Sequence, residues 1–412
     1  MSLKFRLIIM NFLQYAIWGA WLISLGTYLF GSLHFEGVQI GSFFAIMGIT
    51  SLFMPGVMGI IADRWVPAQI LLGVCHILGA VFLILAATQT TYATLYPVMF
   101  LAVLFYMPTI ALSNSVAFNA LEKHGFDTVK DFPPIRVFGT VGFICSMLIV
   151  DFAGFSTNHN QLYLSAAISF MLGIYAMTLP HCPVTKVDGK KSFIDAMGLR
   201  AFSLFKEKKM ALFFIFSMLL GAALQVTNAF ANPYITSFAE IPQYADTFGV
   251  KHANALISLS QISETLCILL IPFFLKKFGI KKVMLISMFA WVLRFGLFGV
   301  GNPGTGVWMF ILSMIVYGVA FDFFNISGSL FVNKETNPSI RSSAQGLFMI
   351  MTNGFGATFG SYAAGFVVDK FVYKSPDPSW PTAWFIFAGY ALVVAIVFGL
   401  VFKYKYKPEN IK

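Results

Sequence analysis

Glu264 and Asp322 are carboxylates set inside long apolar stretches, where an ionisable group costs at least about 2.5 to 3.5 kcal/mol. Low dielectric disfavours the charged form of a carboxyl group, so acids in such a setting can take up and release a proton near neutral pH. Glu264 follows Gln261 by three residues, which puts both on one helical face. Asp322 stands in Tyr317-Gly-Val-Ala-Phe321-Asp322-Phe-Phe-Asn325, where Tyr317, Phe321 and Asn325 recur every four residues. Both acids are candidate proton carriers. The alternative is a structural acid bonded to neighbouring hydroxyls or amides.

A second group of residues has the chemistry to hold a polar solute. Arg136, Thr140 and Phe143 occupy i, i+4 and i+7, one stripe of a helix, and Gln225 and Asn228 share a face of another. Amides, a hydroxyl and a guanidinium suit a polyhydroxylated molecule, while Phe143 or Phe321 can stack on a flat ring. A lone amide in an apolar helix is helix glue worth about 0.6 to 2 kcal/mol. Two such faces together with Gln261 and Glu264 point instead to a binding site. Gln14, Trp18 and Trp21 form a weaker stripe of second-tier contacts, and His76 reads as a satisfied interior residue. Arg294 has no partner that the sequence identifies.

The elements that position these residues follow from composition. Of 412 residues, 58% are hydrophobic and 11% charged, against about half and a quarter in soluble domains, so the solvent for most of the chain is lipid. Twelve runs reach the roughly 20 apolar residues a membrane helix needs. They cover 5–30, 39–61, 67–88, 94–118, 133–155, 161–181, 210–232, 252–275, 280–301, 307–331, 342–368 and 382–403. The first is too long for a signal peptide and has no small-residue cleavage site, so it is expected to stay as a helix.

The formal charge of +10 carries no nucleic-acid reading once its distribution is seen. With a cytoplasmic N-terminus, 22 of the 27 Lys and Arg fall in inside segments, three outside (Lys251, Lys370, Lys374) and two within helices (Arg136, Arg294). That is the positive-inside asymmetry, and it predicts both termini in the cytoplasm. Cys75, Cys145, Cys182 and Cys267 lack metal-ligand spacing and read as small apolar fillers; no metal or cofactor is expected.

The basic stretch from Pro183 to Lys209, with Lys186, Lys190, Lys191, Lys206, Lys208 and Lys209, divides the runs six and six. The expected organisation is a six-helix bundle over 1–181, a cytoplasmic linker over 182–209 and a second bundle over 210–412. A phosphate-binding Gly-x-x-x-x-Gly-Lys-Ser/Thr loop is missing from the sequence, which excludes a built-in ATPase of that type and leaves an ion gradient as the energy source. The runs also carry no grouping of nucleophile and base, so an enzyme is not expected. The linker is too short for a signalling domain.

The loops Gly59-Ile-Ile-Ala-Asp63-Arg64-Trp65 and Lys276-Lys277-Phe278-Gly279-Ile280-Lys281-Lys282 resemble, incompletely, the paired loop signatures of the major facilitator superfamily. In that superfamily two six-helix halves rock about a solute site near the bilayer midplane. Longer strings are similar to those of the bacterial nucleoside:proton symporter family. They are Asp131-Phe-Pro-Pro-Ile-Arg136-Val-Phe-Gly-Thr140-Val-Gly-Phe143, Gln261-Ile-Ser-Glu264-Thr, Ala320-Phe321-Asp322-Phe-Phe-Asn325-Ile-Ser-Gly and Arg341-Ser-Ser-Ala-Gln-Gly. The resemblance extends from Leu13-Gln14-Tyr-Ala-Ile-Trp18-Gly to Phe387-Ala-Gly-Tyr390. It implies an all-α carrier of purine and pyrimidine nucleosides in a bacterial inner membrane, driven by protons and working as a monomer. It implies that Arg136, Thr140, Phe143, Gln225, Asn228, Gln261, Glu264, Tyr317 and Phe321 surround the nucleoside, with Glu264 and Asp322 as coupling acids. The alternative is a proton-coupled symporter for an oligosaccharide or other small polar solute, because Arg136-Val-Phe-Gly with Phe143 also resembles helix 5 of the oligosaccharide:proton symporter family. The helix 4 glutamate of that family has no counterpart in 94–118, which weakens this reading.

Overall fold

The computed structural model describes residues 2–184, 199–337 and 340–404. Lys186, Lys190 and Lys191 of the expected linker lie outside the described residues. Every described element is helical, as lipid requires of a spanning chain that is not a barrel, because each backbone polar group must find its partner inside the element. In chain order the α-helices are α1 (Leu3–Gly19), α2 (Leu25–Gly31), α3 (Gly37–Ser51), α4 (Met54–Arg64), α5 (Ala68–Ala87), α6 (Tyr92–Lys123), α7 (Thr128–Phe152) and α8 (Asn160–Met177). After the linker come α9 (Lys208–Ser237), α10 (Phe248–Lys251), α11 (Ala253–Val300), α12 (Val307–Glu335), α13 (Arg341–Met349), α14 (Ala357–Val368) and α15 (Trp380–Val401).

Eight helical stretches among the described residues are long and apolar enough to cross a membrane. They carry nine of the twelve apolar runs, because α11 holds two. The other three runs are helical as well, but each is modified locally. The first is divided into α1 and α2 by turns over 20–24. The sixth is the 18-residue α8, which opens on polar Asn160 and Gln161. The eleventh is interrupted by a wide π turn, Ile350–Gly356, between α13 and α14.

Two further departures have evident causes. Between α3 and α4 the helix breaks at Leu52 and Phe53, just ahead of Pro55, which has no N–H to donate to the preceding turn. Runs eight and nine have no loop between them. Two helices within Ala253–Val300 meet directly at Gly279, whose φ of 75° and ψ of 167° suit a residue without Cβ.

The surface fits a lipid solvent. Leu269, Leu400 and Trp308 are at least 70% exposed, while Gln14, His76, Arg294 and Asp322 are buried. Soluble proteins rarely show such apolar exteriors.

The chain forms two compact units, Met1–Phe35 with Ile49–Met197, and Glu36–Gly48 with Gly198–Lys412. In the first, α1 packs along α7 and α8, and α5 along α6 and α8. Glycines permit the closest approach: a Cβ on Gly19 would fall on the Phe143 carbonyl, and one on Gly142 on the Phe12 carbonyl. In the second unit α11 packs against α12 and α15, and α9 against α14 and the π turn. The start of α3 belongs to this second unit. There the buried carboxylate of Asp369 accepts hydrogen bonds from the amides of Gly37 (2.5 Å) and Val38 (2.9 Å) at the helix N-terminus. Lys374 donates to Glu36 at 2.5 Å beside it.

Candidate functional site

The candidate residues are divided between the two units. In the first unit, α7 holds Arg136, Thr140 and Phe143 next to α1. The Arg136 guanidinium lies 3.8 Å from the centroid of the Tyr15 ring, a cation–π contact. Gly139 makes room for both groups, because a Cβ there would meet Tyr15 and the Arg136 Nη1. Phe143 is buried and Thr140 half-buried.

Behind α1 runs a polar network that sequence spacing alone could not assemble. Gln14 donates from Nε2 to the Thr109 hydroxyl (2.7 Å), and its Oε1 lies 2.8 Å from His76 Nε2. The Thr109 hydroxyl gives its own proton to the Tyr106 carbonyl at 2.5 Å, so it can only accept from Gln14. That fixes the Gln14 amide orientation and requires a proton on His76 Nε2. His76 Nδ1 lies 3.2 Å from the Ser169 hydroxyl, and Tyr106 donates to the Gln14 carbonyl at 2.8 Å. The Ser169 hydroxyl gives its proton to the His76 carbonyl at 2.9 Å, so the ring is held through Nε2, and the Gln14 amide is used inside the unit. Trp18 packs on Tyr106 with ring centroids 5.7 Å apart.

In the second unit, Asn228 donates to Gln225 at 3.4 Å along α9. Tyr317 and Phe321, one turn apart on α12, lie parallel with centroids 5.7 Å apart. The Tyr317 hydroxyl hydrogen-bonds Gln261 of α11, and the ring is close enough to Glu264, Arg294 and Asp322 to interact electrostatically with all three. Asp322 is 5% exposed, interacts with Glu264, and its Oδ2 has no hydrogen-bond partner among the described residues. Gly318 makes this proximity possible, since a Cβ there would strike the Ser263 carbonyl and Cys267. Ser263 donates to the Ile315 carbonyl and ties the helices together at that point. A small recess beside the cluster is lined by Leu224, Trp291, Phe321, Asn325, Thr352 and Asn353.

Structure also supplies the missing partners of Arg294. Its Nη1 donates to the Ser313 carbonyl at 2.7 Å and lies 3.4 Å from the Ser260 hydroxyl. These partners, like Trp291 and Asn353, escape sequence reading because they come from other turns and other helices. None of the described residues form a group of three or more His, Cys, Asp or Glu able to hold a metal.

The profile of the family described as "Nucleoside H+ symporter" matches residues 1–407. The chain belongs to the nucleoside:proton symporter family. This family member is 50% identical over 407 residues to the nucleoside permease NupG of Escherichia coli K12, covering 98% of this chain and 97% of that one. It is 51% identical over 413 residues to the xanthosine permease of the same organism, covering 100% and 99%. Among solved structures, the crystal structure of the nucleoside transporter NupG matches with a TM-score of 0.92 at 50% identity, covering 98% of this chain and 100% of that one. The symporter is thus a multi-pass membrane protein with the fold of the major facilitator superfamily.

Proposed function

We propose that the protein imports purine and pyrimidine nucleosides across a bacterial inner membrane together with protons, alternating between outward- and inward-facing states, with both termini in the cytoplasm. The observation that carries this reading is Asp322, a buried carboxyl with an unpartnered oxygen in contact with the field of Glu264, on a chain half identical to nucleoside and xanthosine permeases. Arg136, Thr140 and Phe143 of α7, Gln225 and Asn228 of α9, Gln261 and Glu264 of α11, and Tyr317 and Phe321 of α12 recognise the nucleoside. The amides and the guanidinium answer the ribose hydroxyls and the base edges, and the aromatic rings stack on the base. Asp322 and Glu264 couple the proton.

In the outward-facing state a proton from outside binds a carboxylate, cancelling a charge whose burial would oppose the conformational change. Nucleoside and proton then leave to the cytoplasm. A membrane potential of about 100 mV supplies about 2.3 kcal/mol per proton, enough for roughly 50-fold accumulation. The protein works as a monomer and carries out no chemistry on its cargo.

The test is uridine uptake by the purified protein in sealed vesicles, with and without a protonophore, with adenosine, ribose and lactose as competitors. Competition by lactose in place of adenosine would move the reading to a sugar carrier. Asp322→Asn is expected to abolish proton-driven accumulation while uridine binding and exchange survive. Full accumulation by this variant would remove Asp322 from the coupling step.

A further inference from the structure

Asn325 and Asn353 are amides inside apolar helices that tie no helices together. Elsewhere in the second unit amides do that work. Asn232 of α9 donates to Asn254 of α11 at 2.6 Å. Gln345 of α13 donates to the Ser329 carbonyl of α12 at 2.7 Å and accepts from its hydroxyl at 3.1 Å. Asn325 instead donates to the Phe321 carbonyl, one turn back on its own helix, at 2.9 Å. The Asn353 amide meets the Met349 sulfur, a weak acceptor 3.9 Å away and again one turn back. Among the described residues the side-chain oxygen of neither asparagine receives a hydrogen bond. Both side chains are half-buried. A polar group at membrane depth that binds no neighbouring helix belongs to a cavity, because lipid offers it nothing.

The cavity is the recess that both asparagines line together with Phe321 and Trp291. Trp291 meets Tyr317 edge-on with centroids 6.1 Å apart, and Tyr317 lies parallel to Phe321, so the two ends of one aromatic row wall the recess. Asn353 enters it from the π turn Ile350–Gly356, a kind of turn that recurs at functional sites. That turn is seated firmly on α9. A Cβ on Gly221 would fall on the Thr352 carbonyl, and one on Gly356 on the Met218 carbonyl. The recess has room for about one water-sized group. It therefore fits the exocyclic atom of a heterocycle and the ring atom beside it, not a whole ring or a sugar.

We propose that Asn325 and Asn353 read the Watson–Crick edge of a base stacked on Phe321, and so determine which bases the protein accepts. The bond to Phe321 fixes the Asn325 amide with its oxygen free, a constant acceptor for an N–H of the base. Asn353 faces a sulfur and can turn its amide to offer either an acceptor or a donor. Uracil and hypoxanthine present a ring N–H beside a carbonyl on this edge; cytosine and adenine present an amine beside a ring nitrogen. One fixed acceptor with one reversible amide satisfies both patterns, which gives a physical basis for accepting purines and pyrimidines alike. This rests on the nucleoside reading proposed above.

The experiment pairs each variant with a ligand that lacks the same contact. Labelled uridine bound to the purified protein is displaced by unlabelled uridine or by the ribonucleoside of pyrimidin-2-one, which is uridine without its N3 proton and 4-oxygen. Wild-type protein is expected to bind uridine about tenfold more tightly than the analogue. In the double variant Asn325→Ala, Asn353→Ala the two ligands bind within about twofold of each other, the loss falling on uridine. Damage to the fold would weaken both ligands alike and leave their ratio standing. Equal affinities in wild type overturn the proposal even if the double variant does not fold, and leave the recess as a water pocket. A folded double variant that keeps the wild-type ratio overturns it too. Asn353→Ala alone, which removes no helix-to-helix bond, should narrow the ratio to about threefold, and an unchanged ratio there counts against the proposal in the same way. Failure of wild-type protein to bind uridine would sink the nucleoside reading itself, whereas binding with a ratio insensitive to both asparagines sinks only this inference.

Discussion

Replacing Asp369 with alanine tests whether one carboxylate holds the start of α3 in place. In the native protein this buried side chain accepts from two successive amides, Gly37 at 2.5 Å and Val38 at 2.9 Å, where a helix presents unsatisfied donors and the positive end of its dipole. A charge-assisted hydrogen bond contributes about 1.5 to 3 kcal/mol. Val38 is 37% exposed, however, so water can replace part of what is lost, and the lower range for helix caps applies, about 0.5 to 2 kcal/mol. Adding about 0.3 to 1 kcal/mol for the dipole gives a total near 2 kcal/mol. Local opening should then become roughly 30-fold more favourable. Hydrogen–deuterium exchange of a peptide covering residues 36–42, read by mass spectrometry in nanodiscs, is expected to accelerate by about that factor. Asp369→Asn keeps an acceptor and loses the charge, so its acceleration should be about fivefold. Exchange within twofold of wild type in Asp369→Ala would refute the reasoning, because the amides would then be held by packing alone.

Three further outcomes follow. Phe143→Ala and Gln225→Ala should each weaken uridine binding about tenfold, measured by scintillation proximity; unchanged affinity removes that residue from the proposed recognition set. His76→Leu leaves the Gln14 Oε1 without its donor at a cost of about 1 to 3 kcal/mol and should lower the melting temperature in detergent, whereas an unshifted melt would show that the network repacks. Glu36 holds the Lys374 amine above the usual lysine range by accepting its hydrogen bond. A group with a raised folded value contributes stability that is complete below its ordinary value and is lost as pH rises through the folded one. Exchange at the start of α3 should therefore be steady from roughly pH 6 to 9, after correction for intrinsic rates, and rise only in the alkaline range; Lys374→Ala should lack that rise.

The spans were legible because lipid imposes a single rule, about 20 apolar residues per crossing, and a chain with 58% hydrophobic residues repeats it plainly. What stayed hidden was how the runs are joined. Lys276, Lys277, Lys281 and Lys282 read as a loop, yet they are helical on either side of Gly279, the one residue there that leaves helical geometry, since charged side chains can extend outward from a helix as easily as from a loop. The π turn at Ile350–Gly356 is likewise invisible to hydropathy, which registers residue types and not the width of a turn.

Within the candidate set, the contact of Tyr317 with Phe321 along one helix was readable from the four-residue spacing. Contacts between helices were not, because they depend on how closely two backbones approach. Gly318 against Ser263 decides that α11 and α12 come close enough for Tyr317 to bond Gln261. The neutral partners of Arg294 come from Ser260 and Ser313, on different turns of the same pair.

The bend at Gly279 joins two arms that carry different charges, Glu264 on one and Arg294 on the other. With no slack chain between them, the arms behave as a bell crank with a one-residue pivot. Any tilt of the acid-bearing arm during the cycle must appear as torque on a single pair of backbone torsions, or be passed to the arm bearing the guanidinium. A side chain at the pivot would stiffen the crank by disfavouring positive φ, without touching cargo, proton or lipid.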